Sequence, residues 1–247
     1  GQASAMELVH DPHRMTNIIV LPTSSGKSAL FLSVAAMSTQ KSVIVVVPFA
    51  QLITDIVRRA LDCGISCMQW KDGALGQESE QLVVVSADQA SSDTFLHYAR
   101  GLELSRSLAH LFFDECHVAI TDTSYRKRLR ELWQLRYLDC PFTCLTATLM
   151  VALEGKLRKQ LMLAETQIFR RSTVRPRIRY KVVNSSRIAP MKVAIDMVRG
   201  QELARGKKGV IYVRTYAVGV TVSDQLGCAF YKATATDKNE TLQQWIN

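Results

Sequence analysis

Three short runs carry side chains able to do chemistry. The first reads Leu21-Pro22-Thr23-Ser24-Ser25-Gly26-Lys27-Ser28, after an apolar stretch and before an amphipathic one. A loop so placed presents successive backbone N–H groups and a helix N-terminus to an anion. Thr23, Ser24, Ser25 and Gly26 would line it, Lys27 would add a point charge toward β- and γ-phosphates, and Ser28 a hydroxyl for Mg²⁺. Leu21 and Ser24 stand where such loops commonly carry glycine, so an ordinary strand–turn–helix junction is the alternative. The second run, Leu111-Phe112-Phe113-Asp114-Glu115-Cys116-His117, ends an apolar stretch in two acids. At the carboxyl edge of an open α/β sheet, Asp114 could hold the Mg²⁺ that Ser28 reaches, and Glu115 could orient or deprotonate a water. Taken singly, the acids could be a solvated strand end or a helix cap, and His117 a packing histidine. The third run, Leu145-Thr146-Ala147-Thr148, is common at strand ends, but its hydroxyls could bond to the acidic loop and report the phosphate state.

These runs can meet only if each ends a strand of one sheet. Strands are expected at 17–21, 43–47, 82–86, 111–115 and 142–147, with helices at 27–38, 50–61, 93–104, 125–135 and 151–163. Nearly continuous apolar runs such as Val43-Ile44-Val45-Val46-Val47 suit a parallel sheet covered by helices on both faces, an α/β fold. The phosphate-loop strand and the acidic strand are expected side by side. After residue 166 the composition changes: Arg170, Arg171, Arg175, Arg177, Arg179 and Lys181 crowd around Pro176, as in a solvated connector. A fresh pattern follows, with strands at 179–183 and 209–213 and helices at 190–203 and from 216 and 236. This second unit of about 60 residues is short of the ~100–150 usual for an α/β domain, and reads as cut off in mid-domain.

The chain has 247 residues, 47% of them hydrophobic, enough for one large or two small cores. No apolar run approaches the ~20 residues that cross a bilayer, so no membrane partner is expected. The N-terminus has no basic or long apolar segment, so no signal peptide is expected, and Gly1 in place of an initiator Met suggests a fragment or processed product. The six cysteines include two C-x3-C pairs, Cys63/Cys67 and Cys140/Cys144, whose spacing and neighbours differ from usual zinc sites. Reduced thiols, a reducing compartment and no zinc are expected. The net charge of +9 is uneven: residues 1–170 hold 17 basic and 17 acidic side chains, and residues 171–247 hold 14 and 5. A polyanion partner would therefore meet the connector and the second unit.

The ordered set of PTSSGKS, DECH and TAT resembles motifs I, II and III of a superfamily-two helicase motor. Residues 47–52 (Val-Pro-Phe-Ala-Gln-Leu) look like motif Ia and residues 85–89 (Val-Ser-Ala-Asp-Gln) stand where motif Ib would. Gln2 ahead of the phosphate loop, DECH rather than DEAD, and Arg175-Pro176-Arg177-Ile178-Arg179-Tyr180 resemble RecQ-type DNA helicases, especially the fungal telomere-linked branch. The resemblance implies a RecA-like P-loop ATP-binding lobe over 1–168, a basic connector over 169–185, and a partial second RecA-like lobe over 186–247 with motif IV at 208–214. It assigns catalysis to Lys27, Asp114 and Glu115, adenine reading to Gln2, and coupling to His117, Thr146 and Thr148. Nucleic-acid contacts would fall to Pro48, Gln51, Ser86, Tyr125 and Arg126, the last two being remnants of an aromatic-rich loop that here is short and lacks tryptophan. The implied cofactors are ATP and Mg²⁺, and the implied partner is single-stranded or forked DNA. The implied activity is 3′-to-5′ unwinding, by lobes that close on ATP, in nuclear DNA repair and recombination. Motif V and the Gln-x-x-Gly-Arg-x-Gly-Arg pattern of motif VI, which carries an arginine finger, are missing, so an incomplete motor is expected. A non-catalytic nucleic-acid-binding module derived from a helicase, and an RNA helicase of the same superfamily, remain as alternatives, and the oligomeric state is open.

Overall fold

The apolar runs become strands because neighbours bury them on both sides. In the computed structural model, which describes residues 1–11, 16–72, 80–122, 127–175, 178–184, 190–200, 208–232, 234–236 and 238–246, the strands are β1 (Thr16–Val20), β2 (Ser42–Val47), β3 (Cys67–Gln69), β4 (Leu82–Ser86), β5 (Leu108–Phe113), β6 (Phe142–Thr146) and β7 (Gln167–Arg170). Among the described residues they form one seven-stranded parallel sheet in the order β3-β4-β2-β5-β6-β1-β7. Alternate residues point to opposite faces, so Ile18 and Val20 join one core cluster and Ile19 and Leu21 the other.

Helices α1 (Gln2–His10), α2 (Lys27–Met37) and α3 (Ala50–Asp62) cover one face, burying Leu8, Leu30, Phe31 and Ile53. The other face carries α4 (Ala87–Ala90), α5 (Asp93–Leu104), α6 (Val118–Thr121), a run of 3₁₀ turns at Lys127–Tyr137 and α7 (Glu154–Gln160), which bury Phe95, Leu132 and Leu157. This division follows from handedness. The steps β1–α2–β2 and β2–α3–β3 run one way across the sheet, and those from β4 to β7 run back. Right-handed crossovers then place the two sets on opposite faces. In open α/β sheets ligands bind outside the carboxyl ends of the strands where such a reversal occurs.

The phosphate-loop strand and the acidic strand are not neighbours as expected: β6 lies between β1 and β5. The expected helix at 125–135 is also different, because residues 127–137 wind as 3₁₀ turns. Leu129, Leu132 and Leu135, all fully buried, recur every three residues, the period at which 3₁₀ side chains eclipse. Helix α1 and the edge strands β3 and β7 went unread in the sequence. The arginines beside β7 made it resemble a connector, yet it pairs with β1 from Asn17↔Gln167 to Val20↔Arg170.

The chain divides into compact units Gly1–Arg177 and Ile178–Asn247. In the second, the described residues form helices α8 (Pro190–Arg199), α9 (Tyr216–Leu226) and α10 (Lys238–Ile246) and no strand. Arg199 of α8 donates to the Gln225 carbonyl of α9 at 2.8 Å, and Ile195 and Val222 are buried. The strands expected at 179–183 and 209–213 do not form. Tyr180, Val182 and Tyr212 are 83%, 89% and 93% exposed, and a strand needs a partner to take its backbone hydrogen bonds.

Candidate active site

The phosphate loop continues β1 off the edge of the sheet. Leu21 N–H donates to the Thr146 carbonyl at 3.0 Å, and Ser25 N–H closes a turn onto the Pro22 carbonyl at 3.3 Å. Ser24 (φ 62°) and Gly26 (φ 78°) are left-handed, and α2 starts at Lys27. The left-handed backbone favours glycine at 26, and a Cβ there, 2.6 Å from Gln2 Nε2, would also push the Gln2 amide off the loop. Gln2 Nε2 donates to the Gly26 carbonyl at 3.3 Å, which draws the start of α1 against the loop. Lys27 Nζ folds back to donate to the Pro22 carbonyl at 3.5 Å. Ser25 Oγ is buried without a partner, Thr23, Ser24 and Gly26 are exposed, and Ser28 is half-buried in the first turn of α2. An orphaned hydroxyl and a glycine cradle beside a folded-back lysine fit an anion that supplies the missing acceptors.

The acids follow β5 directly. Asp114 N–H donates to the Val46 carbonyl at 2.9 Å, Asp114 Oδ1 accepts from Glu115 N–H at 2.9 Å, and Cys116 N–H donates to the Leu145 carbonyl at 3.0 Å. Burial, then the charge of Glu115, push the Asp114 carboxyl up to about 6, against the pull of Lys27 and His117. Glu115, with φ 46°, stores left-handed strain of about 1–3 kcal/mol. Burial raises its carboxyl too, but the His117 hydrogen bond and the charge of Lys27 outweigh it, and the group lies below the usual carboxylate value. Glu115 is thus kept ionised and suits holding a water better than taking its proton.

Because β6 lies between β1 and β5, its last residue reaches both loops. Thr146 hydroxyl donates to Glu115 Oε2 at 3.4 Å, lies 3.0 Å from His117 Nδ1 and accepts from Thr148 N–H at 3.2 Å. His117 Nδ1 is 3.3 Å from Glu115 Oε2. The three runs picked out in the sequence therefore meet, with Thr148 contributing its backbone and its side chain exposed. No cluster of three His, Cys, Asp or Glu able to hold a metal occurs among the described residues. Asp114 with the Ser28 hydroxyl still fits Mg²⁺, which takes one or two protein oxygens and completes its shell with phosphate and water.

The expected nucleic-acid residues are more scattered. Pro48 is buried at the end of β2, and the exposed side chain of that turn is Phe49. Ser86 caps α4, accepting from Gln89 N–H at 3.3 Å. Gln51 lies in α3, its side chain outside the described residues, as are Tyr125 and Arg126. Cys140 and Cys144 are buried in the core, and Cys63 is exposed. One residue read in the sequence only as part of the basic connector belongs to the loop environment: Arg175, beyond β7, donates to Thr23 Oγ1. Nothing local could have revealed it, since 152 residues separate the pair.

Comparison with known proteins agrees with this geometry. The chain is 23% identical over 92% of its length to an ATP-dependent DNA helicase RecQ of Pasteurella multocida, and spans 38% of that protein. It is 26% identical over 93% of its length to the RecQ-like DNA helicase BLM of Xenopus laevis, spanning 18% of it. Among solved structures, the DUF1998 helicase MrfA bound to DNA and AMPPNP superposes with a TM-score of 0.64 at 17% identity, over 99% of this chain and 36% of that one. An S. cerevisiae Dbp5 variant bound to RNA and ADP BeF3 gives 0.61 at 14% identity, over 96% and 64%. The DEAD/DEAH box helicase family model matches residues 1–154, which hold the phosphate loop, the acidic loop and the Thr146 strand end. The chain belongs to the DEAD/DEAH box helicase family.

Proposed function

We propose that this chain is the ATP-binding part of a RecQ-type DNA helicase. The Glu115–His117–Thr146 cluster carries the reading, because it joins the acids to a strand end that also hydrogen-bonds the phosphate loop. The loop amides, Lys27 and Ser28 bind the β- and γ-phosphates, and Gln2 faces the adenine. Asp114 and the Ser28 hydroxyl would hold Mg²⁺, which would supply neutralising positive charge to the phosphates. Glu115 orients the attacking water, and His117 with Thr146 and Thr148 transmits the state of that water to β6. Single-stranded or forked DNA is the favoured partner, because the curated relatives matched over most of the chain are named DNA helicases. RNA is the second reading, supported by the RNA-bound Dbp5 neighbour.

The finer assignments rest on the family resemblance: the fungal telomere-linked branch, 3′-to-5′ polarity, nuclear location (with the basic charge of the chain), and a second lobe that begins in residues 186–247. These 247 residues contain no motif VI pattern, so the chain by itself binds nucleotide with little unwinding. Lys27→Ala or Glu115→Gln in the full-length protein abolishes DNA-stimulated ATP hydrolysis; unchanged turnover in either variant overturns the assignment. Stimulation by RNA but not by single-stranded DNA would replace the first reading with the second.

A further inference from the structure

We infer that Arg175 is a phosphate ligand of the nucleotide site, so that bound nucleotide fixes the chain segment leading out of the first unit; this rests on the ATP-binding reading above. Strand β7 runs parallel to β1, in register up to Val20↔Arg170, and Arg171 N–H donates to the Val20 carbonyl at 2.9 Å. Both chains then leave the same edge of the sheet side by side, one as residues 21–25 of the phosphate loop and the other as residues 171–175. This parallel exit brings the Arg175 guanidinium onto Thr23 Oγ1, four positions before Lys27.

Two cations thus rest on neutral oxygens of one loop, Lys27 on the Pro22 carbonyl and Arg175 on the Thr23 hydroxyl. Either acceptor is weaker than an ionised phosphate oxygen, and the planar guanidinium fork can take two such oxygens at once. The Arg175 side chain is exposed, so it can turn toward a phosphate without giving up core packing. Thr23 keeps it within reach of the loop. Ile178, the first residue of the second unit, is only three positions on. A bridge from Arg175 to the nucleotide therefore ties down residues 171–175, at the end of the first unit, when phosphate is present.

The test uses the whole chain with a fluorescent ATP analogue and Mg²⁺. Arg175→Ala should weaken triphosphate binding about tenfold, as expected for losing one charge-assisted contact. Its effect on a monophosphate analogue should be smaller. Arg175→Lys, which keeps charge but not the fork, should regain part of the loss, and Arg171→Ala, which removes a nearby positive charge, should bind as the parent does. Adding the analogue should slow amide exchange in residues 172–175 of the parent and not of Arg175→Ala, two proteins whose thermal midpoints without nucleotide should agree. Parental affinity in Arg175→Ala, with binding lost in Lys27→Ala, overturns this inference alone. No binding by the parent chain overturns the ATP-binding reading, and this inference with it.

Discussion

Glu115 is held by a histidine, a threonine hydroxyl and its own strained backbone, and each restraint favours an ionised carboxylate in one place. Thr146 is the informative residue to change, since its hydroxyl alone touches Glu115, His117 and the Thr148 N–H. Thr146→Val keeps the strand and its volume while deleting those bonds. Nucleotide affinity should stay within about twofold, and nucleic-acid-stimulated turnover should fall about tenfold or more. Titration with a fluorescent nucleotide beside steady-state ATPase separates the two; equal losses would assign Thr146 to nucleotide binding instead of coupling.

At the scale of elements, residue type revealed what a segment buries more readily than how it winds. The strands β1, β2, β4 and β6 were legible because nearly every residue in them is apolar or β-branched. Helix α3 was legible because its apolar residues repeat with helical spacing. Residues 127–137 misled because Leu129, Leu132 and Leu135 satisfy a loose helical pattern while their strict three-residue spacing favours 3₁₀ turns. The stripe they form is a closed part of the core, and Leu132→Ala should cost about 2–5 kcal/mol of stability. Urea unfolding followed by circular dichroism measures this, and a loss under about 1 kcal/mol would show that the stripe collapses to fill the space. The edge strands β3 and β7 were hidden for another reason: three- and four-residue strands gain their order from a partner strand, which local sequence does not display.

At the scale of the molecule, a buried histidine and a half-buried aspartate pull the pH dependence of stability in opposite directions. His110, buried beneath α2 and bonded to Thr143 Oγ1 at 2.9 Å, is pushed by burial, then by His10, down to about 3 from an ordinary 6.5. The unfolded chain takes that proton first, so the stability this group contributes is lost as pH falls from 6.5 toward 3. Asp114 acts oppositely. Its folded value of about 6 exceeds the ordinary 3.8, so its contribution is full below 3.8 and lost as pH rises to about 6. Between pH 6.5 and 4.5 each effect amounts to about 2 kcal/mol, and they nearly cancel. The parent protein should show an almost flat urea midpoint over that range. His110→Gln should gain stability on acidification and Asp114→Asn should lose it; parallel curves for all three would refute this opposition.

The sequence by itself determined the parallel α/β architecture and the three chemical runs, because burial on both faces and phosphate chemistry demand particular residue types at short spacing. It also located the whole charge excess in residues 171–247. Only the tertiary structure decided which runs touch. Strand order is set by crossover direction and handedness, which no local pattern encodes, and it placed β6 between the phosphate-loop strand and the acidic strand. The same long-range pairing, β7 beside β1, carried Arg175 across 152 residues of sequence to the phosphate loop.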